Sequence, residues 1–492
     1  AFNLIIPTLF ALTVGNSFCL GYNLTANGKW RKMTAVVTGL TASAFVAIVG
    51  NVEGFLQLWR QFGIASGSTF HSTIPGLEAF VRGLFGIVTV LRGQVLPSYD
   101  YWGPTRVIQN TINEFPFFSF LFADLHPHMI NIPFALLFIA LMLNIVRGMG
   151  ARTVRRPTTP AAGSVSEEDT ATMAVPAATE DEPLVAEAAA PSEAALSPEL
   201  SPASEAEPPR SSTDETVDAL APRPREALWA WVTLPLVLGA MSAINTWDLP
   251  TFWGLAVLLV FCMSFWRRGR FDWLGTLLFG IGLGAASVLL YWPFFAHYQA
   301  ISVGLGLVDM RTDLGKFLSI WAMFLFVAGS FLFAALAFPN SRSGAVQLAS
   351  LVLRRWSTCP HWAGLYRVLV HRPTAGYRIA RFGAVVLLVV AVGLVAFGYG
   401  VIALLVFLCI PALLLLTRHD AEPTQQFAVA LATLGLIVLI GCEIFYMRDF
   451  LGGGDWKRMN TLFKFYIQVW LLLGVACAAF LPWLVSLLER AA

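Results

Sequence analysis

The chain reads as an all-α protein, a polytopic transmembrane helical bundle with about eleven spans. Three observations predict this. Hydrophobic residues fill 57% of the 492 positions and charged residues only 13%, against roughly 25% charged in soluble domains. Mean hydropathy is +0.68. The apolar residues also gather into runs of spanning length. An ordinary soluble enzyme is therefore excluded. Six cysteines form no cluster, which excludes a disulfide-built secreted domain. Five of them, Cys19, Cys262, Cys409, Cys442 and Cys477, lie in apolar runs where a thiol behaves as a small hydrophobe. A net charge of +2 carries no nucleic-acid signature, so no nucleic-acid partner is expected.

A spanning helix needs about 20 mostly apolar residues. The runs that qualify are Ala1–Leu20, Met33–Asn51, Met129–Val146, Leu228–Asn245, Pro250–Phe265, Leu274–Phe294, Phe317–Phe338, Phe382–Phe397, Val401–Leu416, Gln426–Phe445 and Phe465–Leu488. The eighth and ninth are too long together for one helix, and Phe397-Gly-Tyr-Gly400 between them predicts a tight hairpin. Gly54–Leu96 is moderately apolar and Gly-rich, which suits interfacial helices.

Of the 30 acidic residues, 15 fall between Glu167 and Glu226, in a stretch of Pro, Ala, Ser, Thr and Glu. That composition buries too little apolar surface to order itself, so 151–226 reads as a disordered linker. It divides the N-terminal helices (1–150, with a large loop at 52–128) from the central helices (227–338). A basic loop (339–381) then precedes the C-terminal helices (382–492). Alternating spans place 22 of the 32 Lys and Arg on one side. Positive charge accumulates in cytoplasmic loops, so the linker and basic loop are assigned to the cytoplasm. Ala1 then begins outside, and an N-terminal portion with an odd number of spans is expected upstream.

On the outer side three polar clusters recur. The first comprises Asp100–Pro104, Thr111–Phe120 and Ala123–Met129, the second is Ile244–Pro250, and the third is Cys442–Asp449 with Asp455–Thr461 and Lys464. Ionisable groups at the hydrocarbon edge face one another or an aqueous cavity, so one shared pocket is expected. Asp124, His126 and His128 suit a divalent metal such as Mg or Mn; alternatively Asp124 caps the helix near Pro127 and both imidazoles are wet. Glu114, beside Phe115-Pro-Phe-Phe118, is either an acid/base carboxylate or an interfacial surface acid. Asp248 is either a base or ligand, or a turn-forming Asp before Leu-Pro. Glu443 lies in the tenth span, with Arg448 or Lys464 as partner for a functional site, or in a structural ion pair. Arg448, Lys457, Arg458 and Lys464 form a cationic patch suited to phosphate, or anchor the chain to membrane lipids.

These motifs resemble the Chlor_Arch_YYY membrane proteins of bacteria and archaea. The resemblance rests on Asn113-Glu-Phe-Pro-Phe-Phe-Ser-Phe-Leu-Phe-Ala-Asp-Leu-His-Pro-His128, Asn245-Thr-Trp-Asp-Leu-Pro250, Glu443–Asp449 and Arg458-Met-Asn-Thr-Leu-Phe-Lys-Phe-Tyr466. That family is similar in architecture to the GT-C glycosyltransferases, which use polyprenyl-phosphate-linked sugars. The naming Tyr triplet does not occur in this chain. The resemblance implies a loop with a principal catalytic acid upstream of Ala1.

The resemblance implies a membrane glycosyltransferase of a prokaryotic plasma membrane, drawing on a lipid-linked sugar donor at the outer face. Arg458 and Lys464 would hold the phosphate, with Arg448 orienting it and Lys457 and Asn460 nearby. Asp124, His126 and His128 would hold metal or acceptor, Glu114 would be the acid/base, and Asp248 and Glu443 would support them. The alternatives are a transporter or flippase for a lipid-linked or anionic solute, or a non-catalytic subunit of a membrane complex, with another chain or the upstream segment as partner.

Overall fold

Every run predicted to span the membrane becomes helical in the computed structural model, which describes residues 2–26, 32–154, 224–299, 304–338, 346–347, 349–350, 353, 375–418, 420–449 and 454–491. The predicted linker and basic loop lie mostly outside the described residues. The helices are α1 (Phe2–Thr25), α2 (Lys32–Ser43, continued by a π-helical turn Ala44–Ile48), α3 (Val52–Ala65), α4 (Leu77–Leu91), α5 (Pro116–Phe122) and α6 (Pro127–Val154). They continue as α7 (Pro224–Ile244), α8 (Leu249–Arg268), α9 (Trp273–Leu290), α10 (Leu314–Ala337), α11 (Ala375–Ala396), α12 (Gly400–Leu416), α13 (Pro423–Ile444) and α14 (Met459–Ala491). Among the described residues, 7 helices are long and apolar enough to cross a membrane alone; an eighth candidate is the bent pair of α2 and α3, and Trp229–Ile244 and Gly400–Leu416 are shorter apolar helices. Between α11 and α12 the predicted tight turn is present, with Gly398 at φ +79.

The edges differ from the apolar runs in one instructive way. α6 begins at Pro127 and α14 at Met459, so both helices take in charged or polar residues that the hydropathy criterion leaves outside. Proline suits a first helical turn because the N–H it lacks has no intrahelical acceptor there and its φ is preset. A two-stranded antiparallel ribbon was not anticipated. β1 (Gly304–Leu307) pairs with β2 (Phe445–Arg448), Gly304 opposite Arg448 and Leu307 opposite Phe445. It ties the segment before α10 to the α13–α14 connection.

The core centres on α14, which packs against α13, α10 and α2. Phe115 stacks on Trp470 at 5.4 Å, and Trp470 meets Phe324 edge-on at 4.9 Å and Trp321 at 5.7 Å. Offset and edge-to-face rings pack more favourably than sandwiches. The π turn has a visible use here. Its widened ladder exposes the Phe45 carbonyl, which accepts the Trp470 indole N–H at 2.9 Å. α1 and α2 cross closely through small residues; a Cβ on Gly21 would lie 2.6 Å from the Thr38 carbonyl.

Candidate active site

The α5–α6 connection builds the first half of the site. Pro116 opens α5, and Ala123 closes it in the left-handed region at φ 60. The chain then turns tightly, with the His126 N–H donating to the Asp124 carbonyl at 2.8 Å, and Pro127 starts α6. This folding separates the two histidines. His126 Nδ1 lies 2.7 Å from Asp124 Oδ2 at a half-exposed rim. His128 is 3% exposed, and its Nε2 lies 3.5 Å from Glu114 Oε2. The Ser119 hydroxyl donates to the same carboxylate oxygen at 3.0 Å. Phe463 of α14 closes over His128, rings 4.5 Å apart. Burial first, and then the Glu114 charge, pushes the nearby Tyr101 phenol above its ordinary value.

The second half comes from the turn between α7 and α8. Thr246–Asp248 forms one 3₁₀ turn that points the Asp248 carboxylate inward, where it is 5% exposed. Asn131 of α6 donates to Oδ2 and Gln468 of α14 donates to Oδ1 at 2.5 Å. Gln468 also donates to the Trp247 carbonyl at 3.0 Å and accepts from the Thr251 hydroxyl. Lys464, one turn before Gln468 on the same helix face, carries its charge within electrostatic reach of both Asp248 and Glu114. Its ammonium sits 4.8 Å over the Phe463 ring. One cation thus lies within electrostatic range of two carboxylates drawn from distant stretches of chain.

The expected cationic patch is not one patch. Arg458 is 2% exposed and turns to a different face of α14. It donates to Glu443 at 2.8 Å, to the Cys442 carbonyl at 2.9 Å, to Thr312 at 2.9 Å and to the Met310 carbonyl at 3.3 Å. Thr312 donates to the same Glu443 oxygen at 2.9 Å. The partner of Glu443 is therefore Arg458, where the sequence suggested Arg448 or Lys464. Its four contacts engage the two terminal nitrogens of Arg458, while its buried Nε has no hydrogen-bond partner among the described residues. Lys457 pairs with Asp309 at 2.5 Å, and that ammonium holds the Asp309 carboxyl below the usual carboxylate range. Asn460 donates to Asp449 at 2.5 Å, and Arg448 is exposed on β2. A small cavity of about 20 Å³, room for about one water, lies beside Glu443 between Asp309–Thr312 and Gly398–Ile402.

The metal expectation also changes. Among the described residues no three His, Cys, Asp or Glu converge on a common point. Asp124 and His126 face each other, whereas His128 faces Glu114, so the three do not fit a single ion. Asp124, Asp248 and Arg458 were expected in one pocket. Instead Asp248 shares Lys464 with Glu114, Asp124 sits at the rim beside His126, and Arg458 belongs to a separate cluster. Ser119, Asn131, Thr251 and Gln468 were missed by the sequence reading. A signal existed: His128 with Asn131, and Lys464 with Gln468, repeat at three and four residues within apolar runs, which places each pair on one helix face.

With this geometry in view, the comparisons are brief. No curated protein and no solved structure matches the chain. A family profile described as Uncharacterized membrane protein (DUF2298) matches residues 1–473. Matching nearly the whole length, it shows that the chain belongs to the DUF2298 family of membrane proteins.

Proposed function

We propose that the protein is a membrane glycosyltransferase of the GT-C type, as its resemblance to the Chlor_Arch_YYY proteins implies. In this reading it acts at the extracytoplasmic face of a prokaryotic plasma membrane and draws its sugar from a polyprenyl-phosphate donor. The observation that carries the reading is the charge of Lys464 within electrostatic range of both Glu114 and Asp248, with His128 against Glu114. Glycosyl transfer from a lipid phosphate needs those two functions side by side. A base must take the acceptor hydroxyl proton as the new C–O bond forms, and a cation must stabilise the departing phosphate. Glu114, oriented by Ser119 and His128, supplies the base. Lys464 neutralises the leaving phosphate. Asp248, locked by Asn131 and Gln468, adds a negative field that favours the charged ammonium. Asp124 and His126 at the exposed rim meet the acceptor.

The test is transfer from a synthetic polyprenyl-phosphate sugar to acceptor by the full-length protein in proteoliposomes. Glu114→Gln is expected to abolish it and Lys464→Met to lower it about 10²–10³-fold, while Asn460→Ala leaves it near wild type. Unchanged transfer in either of the first two variants overturns the assignment. A flippase is the second reading, favoured by the depth of the Asp248–Asn131–Gln468 network inside the bundle. Movement of the labelled lipid across the vesicle without any glycosidic product would select it.

A further inference from the structure

We infer that the α3–α4 hairpin is a lipid anchor seated in one leaflet, and that it holds the loop leading to Glu114 at the membrane boundary. The inference stands apart from the glycosyltransferase reading, since it concerns how the hairpin meets lipid whatever the site does. α3 leaves the end of the apolar helix Lys32–Ile48 at 71°, which turns it from the spanning direction toward the membrane plane. α4 is amphipathic at helical spacing. Phe80, Leu84, Val88 and Leu91 form one row, all exposed, Leu91 at 82%. Glu78 and Arg82 pair at 3.1 Å on the opposite face. The apolar row continues onto α3 through Trp59, which stacks on Phe80 at 5.8 Å, and Phe55 at 5.7 Å from Trp59.

The two helices move as one body. A Cβ on Gly86 would lie 1.8 Å from the Phe62 carbonyl, so they touch backbone to backbone. The Trp59 indole also donates to the Ala79 carbonyl at 3.0 Å. A contiguous apolar face of this kind marks a membrane or partner surface. The occupant is lipid, because α3 is the second limb of a bent pair that is apolar enough to enter the membrane only together with Lys32–Ile48, and its 71° bend lays it toward the headgroup–acyl boundary, where amphipathic helices bury their apolar side.

Three amides of the anchor clasp the loop that follows. Asn51 donates to the Pro104 carbonyl at 2.6 Å, Gln57 to the Asp100 carbonyl at 3.1 Å and Gln61 to the Ser98 carbonyl at 2.8 Å. Tyr101 and Trp102 of that loop pack on Phe118 of α5 at 4.9 and 5.5 Å. The next residue of α5, Ser119, holds the Glu114 carboxylate. Lipid contact thus fixes the height of the site through a short rigid chain of contacts.

The experiment places the photocrosslinker p-benzoylphenylalanine at Leu84, Leu91 or Glu78 in the full chain, reconstituted in phosphatidylethanolamine–phosphatidylglycerol vesicles. All three positions are at the surface of the hairpin, and each variant's thermal melt is compared with wild type. Lipid adducts at Leu84 and Leu91, several-fold above Glu78, are expected. A fluorophore at Leu91 should be quenched more by a nitroxide near the headgroup than by one at the acyl terminus. Equal adduct yields at all three positions, crosslinks to a second copy of the chain instead of lipid, or stronger quenching from the bilayer centre would each overturn the inference.

Discussion

The N-terminal end of α14 carries two buried or half-buried cations with opposite surroundings. Arg458 has its terminal nitrogens saturated by Glu443, Thr312 and two backbone carbonyls. Lys464 instead feels the charges of Glu114 and Asp248 without a direct ion pair to either, with Phe463 beneath it. The difference teaches what each is for. A planar guanidinium with its donors fixed in several directions staples α13, α14 and the segment before α10 together. An ammonium on a flexible stem, in electrostatic range of two carboxylates and with no direct ion pair among the described residues, is the one that could turn toward an incoming anion.

The comparison can be broken from its strongest side first. Arg458→Leu should leave Glu443 buried and uncompensated, costing about 3–5 kcal/mol as for other broken buried pairs. Thermal unfolding followed by tryptophan fluorescence in detergent would read it; a double variant Arg458→Leu with Glu443→Leu should regain most of the loss. If Arg458→Leu melts like wild type, the staple is wrong. Lys464→Met should behave in reverse, lowering transfer by about 10²–10³-fold, the scale of a lost charge stabiliser, with little change in melting. Loss of fold instead of turnover would merge the two cations into one structural class.

Smaller effects sharpen the boundary. Gln468→Leu removes a donor from buried Asp248 and should cost about 1.5–3 kcal/mol, the range for hydrogen bonds to charged groups. The same variant should also weaken whatever Lys464 binds, measured as a change in donor KM. The mildest test is acid. Lys457 depresses the Asp309 carboxyl, so the clasp contributes fully above the ordinary carboxylate range and is lost as pH falls through the lowered value. Asp309 is exposed, so global melting should barely respond. Hydrogen-exchange protection over 307–310, corrected for intrinsic rates, should drop only in acid. Asp309→Asn should show that drop already at neutral pH.

Much of this was legible before any coordinates. The position of every long helix follows from runs of Leu, Val, Phe and Ala, because a membrane leaves the backbone no partner but itself. Glu114, His128, Asp248 and Lys464 also stand out as rare ionisable groups in apolar company. What misled was the habit of stopping a span at a charge. Lys464 was placed outside the last run, yet α14 begins at Met459 and carries it inside. Once on a helix, Lys464 and Gln468 share a face, and Arg458 turns away from them. A reading that treats Arg458-Met-Asn-Thr-Leu-Phe-Lys464 as one basic segment cannot see that division. The Asp124, His126 and His128 triplet failed for a related reason. Pro127 starts a helix between the two histidines, and their rings, 5.4 Å apart, take different carboxylates.

Composition and periodicity alone determined the class of this protein, its helices and the short roster of charged side chains worth attention. They could do so because transfer into hydrocarbon is a local property of each segment. Partnership was decided only in three dimensions. Whether Glu443 meets Arg458 or Lys464 depends on how two consecutive helices rotate about their axes, and whether Asp248 faces water or the amides of Asn131 and Gln468 depends on helices 117 and 220 residues away. That rotation is set by the packing of Trp470, Phe115 and Trp321, a collective fit that no single stretch of chain encodes.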